Sequence, residues 1–251
     1  MDSAHKFTGK AELYAQHRPS YPEACINYLI ASNRLTDESI VADIGSGTGI
    51  FANQLLDRGL RVMAVEPNTD MRITAEKTLG KHGRYTSISG TAEHTGLMDY
   101  SVDLVTSAQA FHWFDPVQFR LECQRILKPG ARAALIWNSR IHSSEAVAKS
   151  AEICRQYCSS FNGFSGGMEE HPESLELFYD NGEYELQKFE NHLSFSLDGF
   201  IGRNLSASYA PKIGEAAYEP FVHALTELFS QYSKDGQLLM PNETRCYMGS
   251  V

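Results

Sequence analysis

The chain has 251 residues, 42% of them hydrophobic and 21% charged, which suits one α/β domain with a real core better than two independent domains. Its formal net charge is −9 and no concentrated Lys/Arg face is visible, so a nucleic-acid partner is not expected. No apolar run approaches the roughly 20 residues of a membrane span, so no membrane partner is expected either.

In chain order, the opening MDSAHKFTGK lacks the apolar h-region of a signal peptide, and the expected location is the cytoplasm. Residues Phe7 to Ala31 hold a polar helical piece, then Arg18-Pro19-Ser20-Tyr21-Pro22, then a second helix. From about Ile40 to Asn138 short apolar runs alternate with helical patterns, the signature of βαβ units on a parallel sheet. The strands fall at Ile40–Ile44, Arg61–Glu66, Tyr85–Ser89, Val102–Ser107 and Ala131–Trp137. The helices fall at Gly49–Asp57, Thr69–Leu79, Pro116–Leu127 and Ser144–Phe161, and Lys128-Pro129-Gly130 reads as a helix stop followed by a turn. Five cysteines without a CxxC pair read as reduced thiols; Cys154 and Cys158 share a helix face, read as a buried stripe, and no metal site is expected.

Beyond Trp137 the alternation stops. A loop at Gly163–Gly167 and a short helix within Met168–Gly182 precede a strand at Tyr184–Phe195. A helix carrying Ser206-Ala207-Ser208-Tyr209, a long helix at Ala216–Ser233 and a last strand at Glu243–Met248 complete the chain. The expected organisation is a single domain: a flap over about 1–35, a core over about 36–140, a lid over about 141–210, and the last helix and strand of the core over about 211–251.

Chemistry concentrates in Val41-Ala42-Asp43-Ile44-Gly45-Ser46-Gly47-Thr48-Gly49, a buried strand that ends in a glycine-rich turn and opens a helix. Glycines serve where the backbone takes positive φ or approaches a ligand closely, and a helix start offers N–H groups to an anion. Glu66 ends the next strand, where an acid can accept both hydroxyls of a ribose. Together these indicate an adenosine ligand without choosing its kind. A dinucleotide fingerprint wants a third glycine where Ile50 stands. After the fourth strand, Ala108-Gln109-Ala110-Phe111-His112-Trp113-Phe114-Asp115 should line the cleft. Gln109 is a candidate to orient a ligand, and His112 is the obvious general base there, since imidazole titrates near neutrality. The competing reading of His112 is structural, and Phe111, Trp113 and Phe114 either wall a pocket or pack under the lid.

The sequence resembles the class I S-adenosylmethionine-dependent methyltransferases, specifically the type 11 group with relatives in ubiquinone/menaquinone biosynthesis and trans-aconitate methylation. Asp43 to Gly49 matches the family's first motif, and Val65-Glu66-Pro67-Asn68 its acidic second strand. Asp103-Leu-Val-Thr-Ser-Ala resembles the fourth strand, and Arg125-Ile-Leu-Lys-Pro-Gly-Ala the approach to the fifth. The resemblance spans about residues 7–138 and implies S-adenosylmethionine as cofactor. It implies a Rossmann-like α/β fold: a mostly parallel seven-stranded sheet with an antiparallel last strand, helices on both faces, and flap and lid additions. Asp43, Gly45, Ser46, Gly47, Gly49, Glu66 and Pro67 would then bind the cofactor, and Met71 would pack on adenine. Thr91-Ala92-Glu93 would hold the adenine edge, although Thr91 stands where the family usually has Asp. Tyr14 and Arg18 would close over the methionine end, with Ala108 and Gln109 beside the reacting centre. The implied reaction is methyl transfer to a small-molecule acceptor, driven mainly by alignment. A nicotinamide oxidoreductase, a non-catalytic cofactor-binding module and an RNA methyltransferase are the competing readings.

Overall fold

The computed structural model describes residues 18–164 and 173–251. The expected N-terminal helical piece, Tyr14, and the loop residues past Phe164 lie outside the described residues. The helices are α1 (Glu23–Ser32), α2 (Ile50–Leu56), α3 (Thr69–Leu79), α4 (Pro116–Ile126), α5 (Glu145–Tyr157), α6 (Glu173–Phe178), α7 (Leu197–Leu205) and α8 (Tyr218–Tyr232). The strands are β1 (Ile40–Ile44), β2 (Arg61–Val65), β3 (Tyr85–Ile88), β4 (Val102–Ala108), β5 (Leu127–Arg140), β6 (Glu185–Glu190), β7 (Leu193–Phe195), β8 (Leu238–Met240) and β9 (Asn242–Gly249).

Local chemistry sets several boundaries. Asn68 caps α3 by accepting from the Met71 N–H, and Asp115 caps α4 by accepting from Val117 and Gln118, with Pro116 supplying a preset φ in the first turn. The seven-stranded sheet runs β3-β2-β1-β4-β5-β9-β6. Neighbours from β3 through β5 are parallel, and β9 pairs antiparallel with both β5 and β6. From β1 the chain passes to β2 on one side and later to β4 on the other. That reversal opens a crevice at the strands' carboxyl ends, the usual ligand position of an open α/β sheet.

One apolar layer joins Leu29 of α1 and Leu55 of α2 to the sheet. Another joins Phe119 of α4, Phe178 of α6 and the sheet's Trp137. A third cluster, built from Cys154 of α5, Phe200 of α7, Phe221 and Leu225 of α8 and Met240 of β8, forms the lid. The long α8 therefore packs with the lid and not, as the sequence suggests, with the core.

Three further differences have physical reasons. Lys128-Pro129-Gly130 is not a turn between elements but part of β5, where the register against β4 shifts between Val102 and Leu104 and Gly130 takes φ 78°. The strand expected over Tyr184–Phe195 is two strands in different sheets. Asn191 breaks it, its amide donating to Ser20 O, Asn138 Oδ1 and Thr244 Oγ1. Ser206 to Tyr209 lies beyond the end of α7, not within it. No helix among the described residues is long and apolar enough to cross a membrane.

Candidate active site

The glycine turn after β1 is held by its neighbours before any ligand arrives. Gly45 and Ser46 donate their N–H groups to Val65 O at 2.8 and 3.1 Å. Gly47 N–H donates to Glu66 Oε2 at 2.9 Å, and Asn68 N–H donates to Glu66 Oε1 at 2.8 Å. Each Glu66 oxygen thus keeps further lone-pair capacity while the carboxylate is locked in place. Burial pushes the Glu66 carboxyl up from its usual range, opposed by those two backbone donors. Arg72 props the same corner from α3, donating to Glu66 O and Pro67 O.

Gly45, Gly47 and Gly49 all take positive φ, but for different purposes. A Cβ on Gly47 would meet nothing within 4 Å, whereas one on Gly49 would stand 2.7 Å from Leu79 Cδ1. Gly47 therefore keeps space open at the cavity, and Gly49 lets α2 close on α3.

Asp43, 1% exposed, lies one residue before the end of β1, with Oδ1 accepting from Thr106 Oγ1 at 3.0 Å. Its Oδ2 is buried without a hydrogen-bond partner among the described residues. Burial pushes Asp43 up to about 7; the Thr106 bond lowers it and Glu66 raises it further. Gln109 sits at φ 60°, a rare conformation for a non-glycine residue. Its backbone N–H donates to Ile136 O and its Nε2 to Asn138 O at 3.0 Å, which hold it there.

A cavity of about 470 Å³ brings together Arg18, Asp43, Gly45, Ser46, Gly47, Glu66, Pro67, Met71, Thr91, Ala92, Glu93, Ala108 and Gln109. Gly49 does not line it. Nor does His112, whose ring packs 4.6 Å from that of Trp113. The expected general base is therefore displaced from the cavity wall, while its neighbours Trp113 and Phe114 line it and Phe111 is core.

Sequence reading did not single out Thr48, Asn68, Asn138 and Arg203 as lining residues. Asn138 and Arg203 come from the far end of β5 and from the lid, where no motif announces them. Tyr21, quoted only within the flap motif, lines the cavity, edge-on to Phe51 at 5.0 Å. Tyr21 N–H donates to Gln54 Oε1 while Gln54 Nε2 donates to Tyr21 O, which fixes the flap to α2.

Comparison with known proteins decides the family. Residues 42–135 match the family described as "Methyltransferase domain". This segment of the chain belongs to that family. The chain is 39% identical over 154 residues to an uncharacterized methyltransferase of Mycobacterium tuberculosis, covering 61% of this chain and 60% of that relative. The matched region thus spans 60% of the length of these mycobacterial relatives. An uncharacterized methyltransferase of Schizosaccharomyces pombe is 30% identical over 176 residues, 70% of this chain and 66% of that relative. Among solved structures, one described as a type II methyltransferase from Anaeromyxobacter dehalogenans superposes with TM-score 0.68 at 24% identity, covering 93% of this chain and 97% of that one. The phosphoethanolamine N-methyltransferase 2 of Haemonchus contortus, in complex with S-adenosyl-L-methionine, superposes with TM-score 0.53 at 18% identity, covering 99% of this chain and 58% of that one. The methyltransferase domain thus sits on the Rossmann-like fold of class I methyltransferases, with one antiparallel strand among the seven.

Proposed function

We propose that this protein transfers a methyl group from S-adenosylmethionine to a small-molecule acceptor. The observation that carries the reading is the single cavity uniting a locked Glu66 carboxylate with an unsatisfied Asp43 oxygen. The residues present fit the cofactor chemically. Glu66 has lone pairs left for ribose hydroxyls, Met71 and Ala92 offer apolar contact, and Thr91 and Glu93 offer polar edges for adenine. Arg18 suits a carboxylate and Asp43 a cationic group. When bound, S-adenosylmethionine would supply a methyl group activated on a sulfonium, with a neutral thioether as the leaving group.

The protein's own task is alignment and exclusion of water. Holding two reactants in attack geometry contributes up to about 7–11 kcal/mol, so no general base is required of the chain. Flap residues Arg18, Pro19 and Tyr21 and the lid residue Arg203 line the cavity together with the strand-end residues. That enclosure favours a small acceptor over a macromolecular one.

The test is calorimetric titration with S-adenosylmethionine and with NAD(H), followed by labelled-methyl transfer to a panel of small acceptors. We expect saturable binding of S-adenosylmethionine only. Glu66→Gln should lose at least tenfold in affinity, nearly as much as Glu66→Ala, because one face of the amide turns a donor toward a backbone N–H. Preferential binding of NAD(H), or unchanged affinity in Glu66→Ala, would overturn the reading.

A further inference from the structure

On its flap and lid side the cavity lining changes sign. Its acids, Asp43, Glu66 and Glu93, come from the ends of β1 and β2 and from the loop after β3, whereas Arg18 and Arg203 come from the flap and from α7. The flap arginine reaches the turn that ends α7: Arg18 Nη2 donates to the Ser206 backbone carbonyl at 3.4 Å, and Ser206 Oγ donates to the backbone carbonyl of Arg203 at 2.8 Å.

A third guanidinium stands nearby. Arg140 ends β5 two residues beyond the cavity-lining Asn138, on the same face of the strand, and is 8% exposed. Its guanidinium carbon lies 3.6 Å from the centre of the Phe164 ring. Stacking occupies a face of the guanidinium and leaves its in-plane N–H donors directed sideways. Among the described residues no carboxylate pairs with Arg140. The three charges share one neighbour: burial pushes the Tyr209 hydroxyl up, and Arg140, Arg203 and Arg18 all pull it the other way.

A methyl donor with one carboxylate accounts for one guanidinium. Two like charges lining the cavity from flap and lid helix, with the Arg140 charge buried behind them, suit a second oxyanion. Resting on the methyl-transfer reading, we propose that the acceptor is a small anion whose carboxylate or phosphate group is bound by Arg203, with the Arg140 charge behind it and Arg18 left to the donor. The positive wall then selects the acceptor, and it is the acceptor's own anionic group that offsets the charge of the donor's sulfonium.

The experiment uses the full chain saturated with S-adenosylhomocysteine, titrated with succinate, with glycerol 2-phosphate and with neutral succinamide. Trp113 lines the cavity and supplies the fluorescence signal. A saturable change with at least one anion and none with succinamide is expected, and the stronger of the two anions tells carboxylate from phosphate. Arg203→Gln should raise the anion Kd at least tenfold, Arg203→Lys should recover part of that loss, and both should bind S-adenosylhomocysteine within twofold of the parent. No saturable response to either anion in a protein that binds S-adenosylhomocysteine overturns the proposal alone, as does an equal response to succinamide or an unchanged Kd in Arg203→Gln. Failure to bind S-adenosylhomocysteine overturns the methyl-transfer reading beneath it.

Discussion

Asp43 is a carboxyl that the fold holds at a cost for its ligand. With its carboxyl at about 7 in the folded chain and 3.8 as the ordinary value, the folded state binds a proton that the unfolded state has lost. Between those two values stability therefore falls as pH rises, and above about 7 the whole penalty is present. Asp43→Asn removes the charge while keeping the shape. It should stabilise the ligand-free protein at pH 8 by about 1–4 kcal/mol, with no gain at pH 3, in denaturant melts run across pH. The same change should weaken S-adenosylmethionine binding at pH 8 at least tenfold. A variant no more stable than its parent at pH 8 would show that Asp43 is ionised there at no cost. The sequence placed Asp43 at a strand end but not its orphaned oxygen, which depends on Thr106 arriving from a strand 63 residues away. The three glycines that follow look equivalent as letters. Only the packing against Leu79 separates Gly49, a structural glycine, from Gly47, which borders the cavity. His112 is off the cavity lining for a similar reason: it sits in a short 3-10 turn with its ring packed 4.6 Å from that of Trp113.

Elements were legible wherever a local period or cap defined them. The strands β1 to β4 and the helix α3 fall close to where the alternation and the helical pattern put them, and the Asn68 cap fixes the start of α3. The errors lie where a long-range partner overrides local pattern, as at the β5 bulge and at Asn191. The loop after β3, which carries Thr91 to Glu93, is another case, because its shape is set from α4. Glu122 accepts from Thr95 N–H at 2.8 Å and from Thr95 Oγ1 at 2.5 Å, and Arg125 binds both Glu122 oxygens, Asp99 and Leu97 O. Burial pushes Glu122 up, but the bonds from Arg125 and Thr95 outweigh it and hold the carboxyl at about 2. Its folded value lies below its unfolded one, so its contribution is fully present above about 4.5 and is lost as pH falls toward 2. Glu122→Gln should destabilise the protein by about 1–3 kcal/mol at pH 7, and the difference from the parent should shrink through that acid window. Donor affinity should drop several-fold as the adenine-side loop loosens. A pH-independent loss of stability would assign Glu122 a packing role only.

At the scale of the whole molecule, the sheet and the lid have separate apolar clusters, and the cavity is lined by sheet-side residues with Arg203 of α7 added from the lid. The alternation that reveals a βαβ core says nothing about helices that bury against one another, which is why the lid was visible only as the place where the pattern stopped. This division predicts that damage to each cluster should affect a different ligand. Phe221 is fully buried in the lid cluster and Leu55 in the sheet cluster, on α2, the helix that the glycine turn opens. Each truncation to Ala removes packing worth about 2–5 kcal/mol, so both variants must be assayed below their melting temperatures. Phe221→Ala loosens the α5–α8 pair that carries the lid and so shifts Arg203 and Tyr209 without touching Glu66. It should raise the acceptor KM several-fold while donor Kd stays within twofold. Leu55→Ala disturbs α2 and the glycine turn, so donor Kd itself should rise. Equal loss of donor affinity in both variants would mean that the lid and the sheet behave as one cooperative unit around the donor. The acceptor site would then have no independent mechanical support.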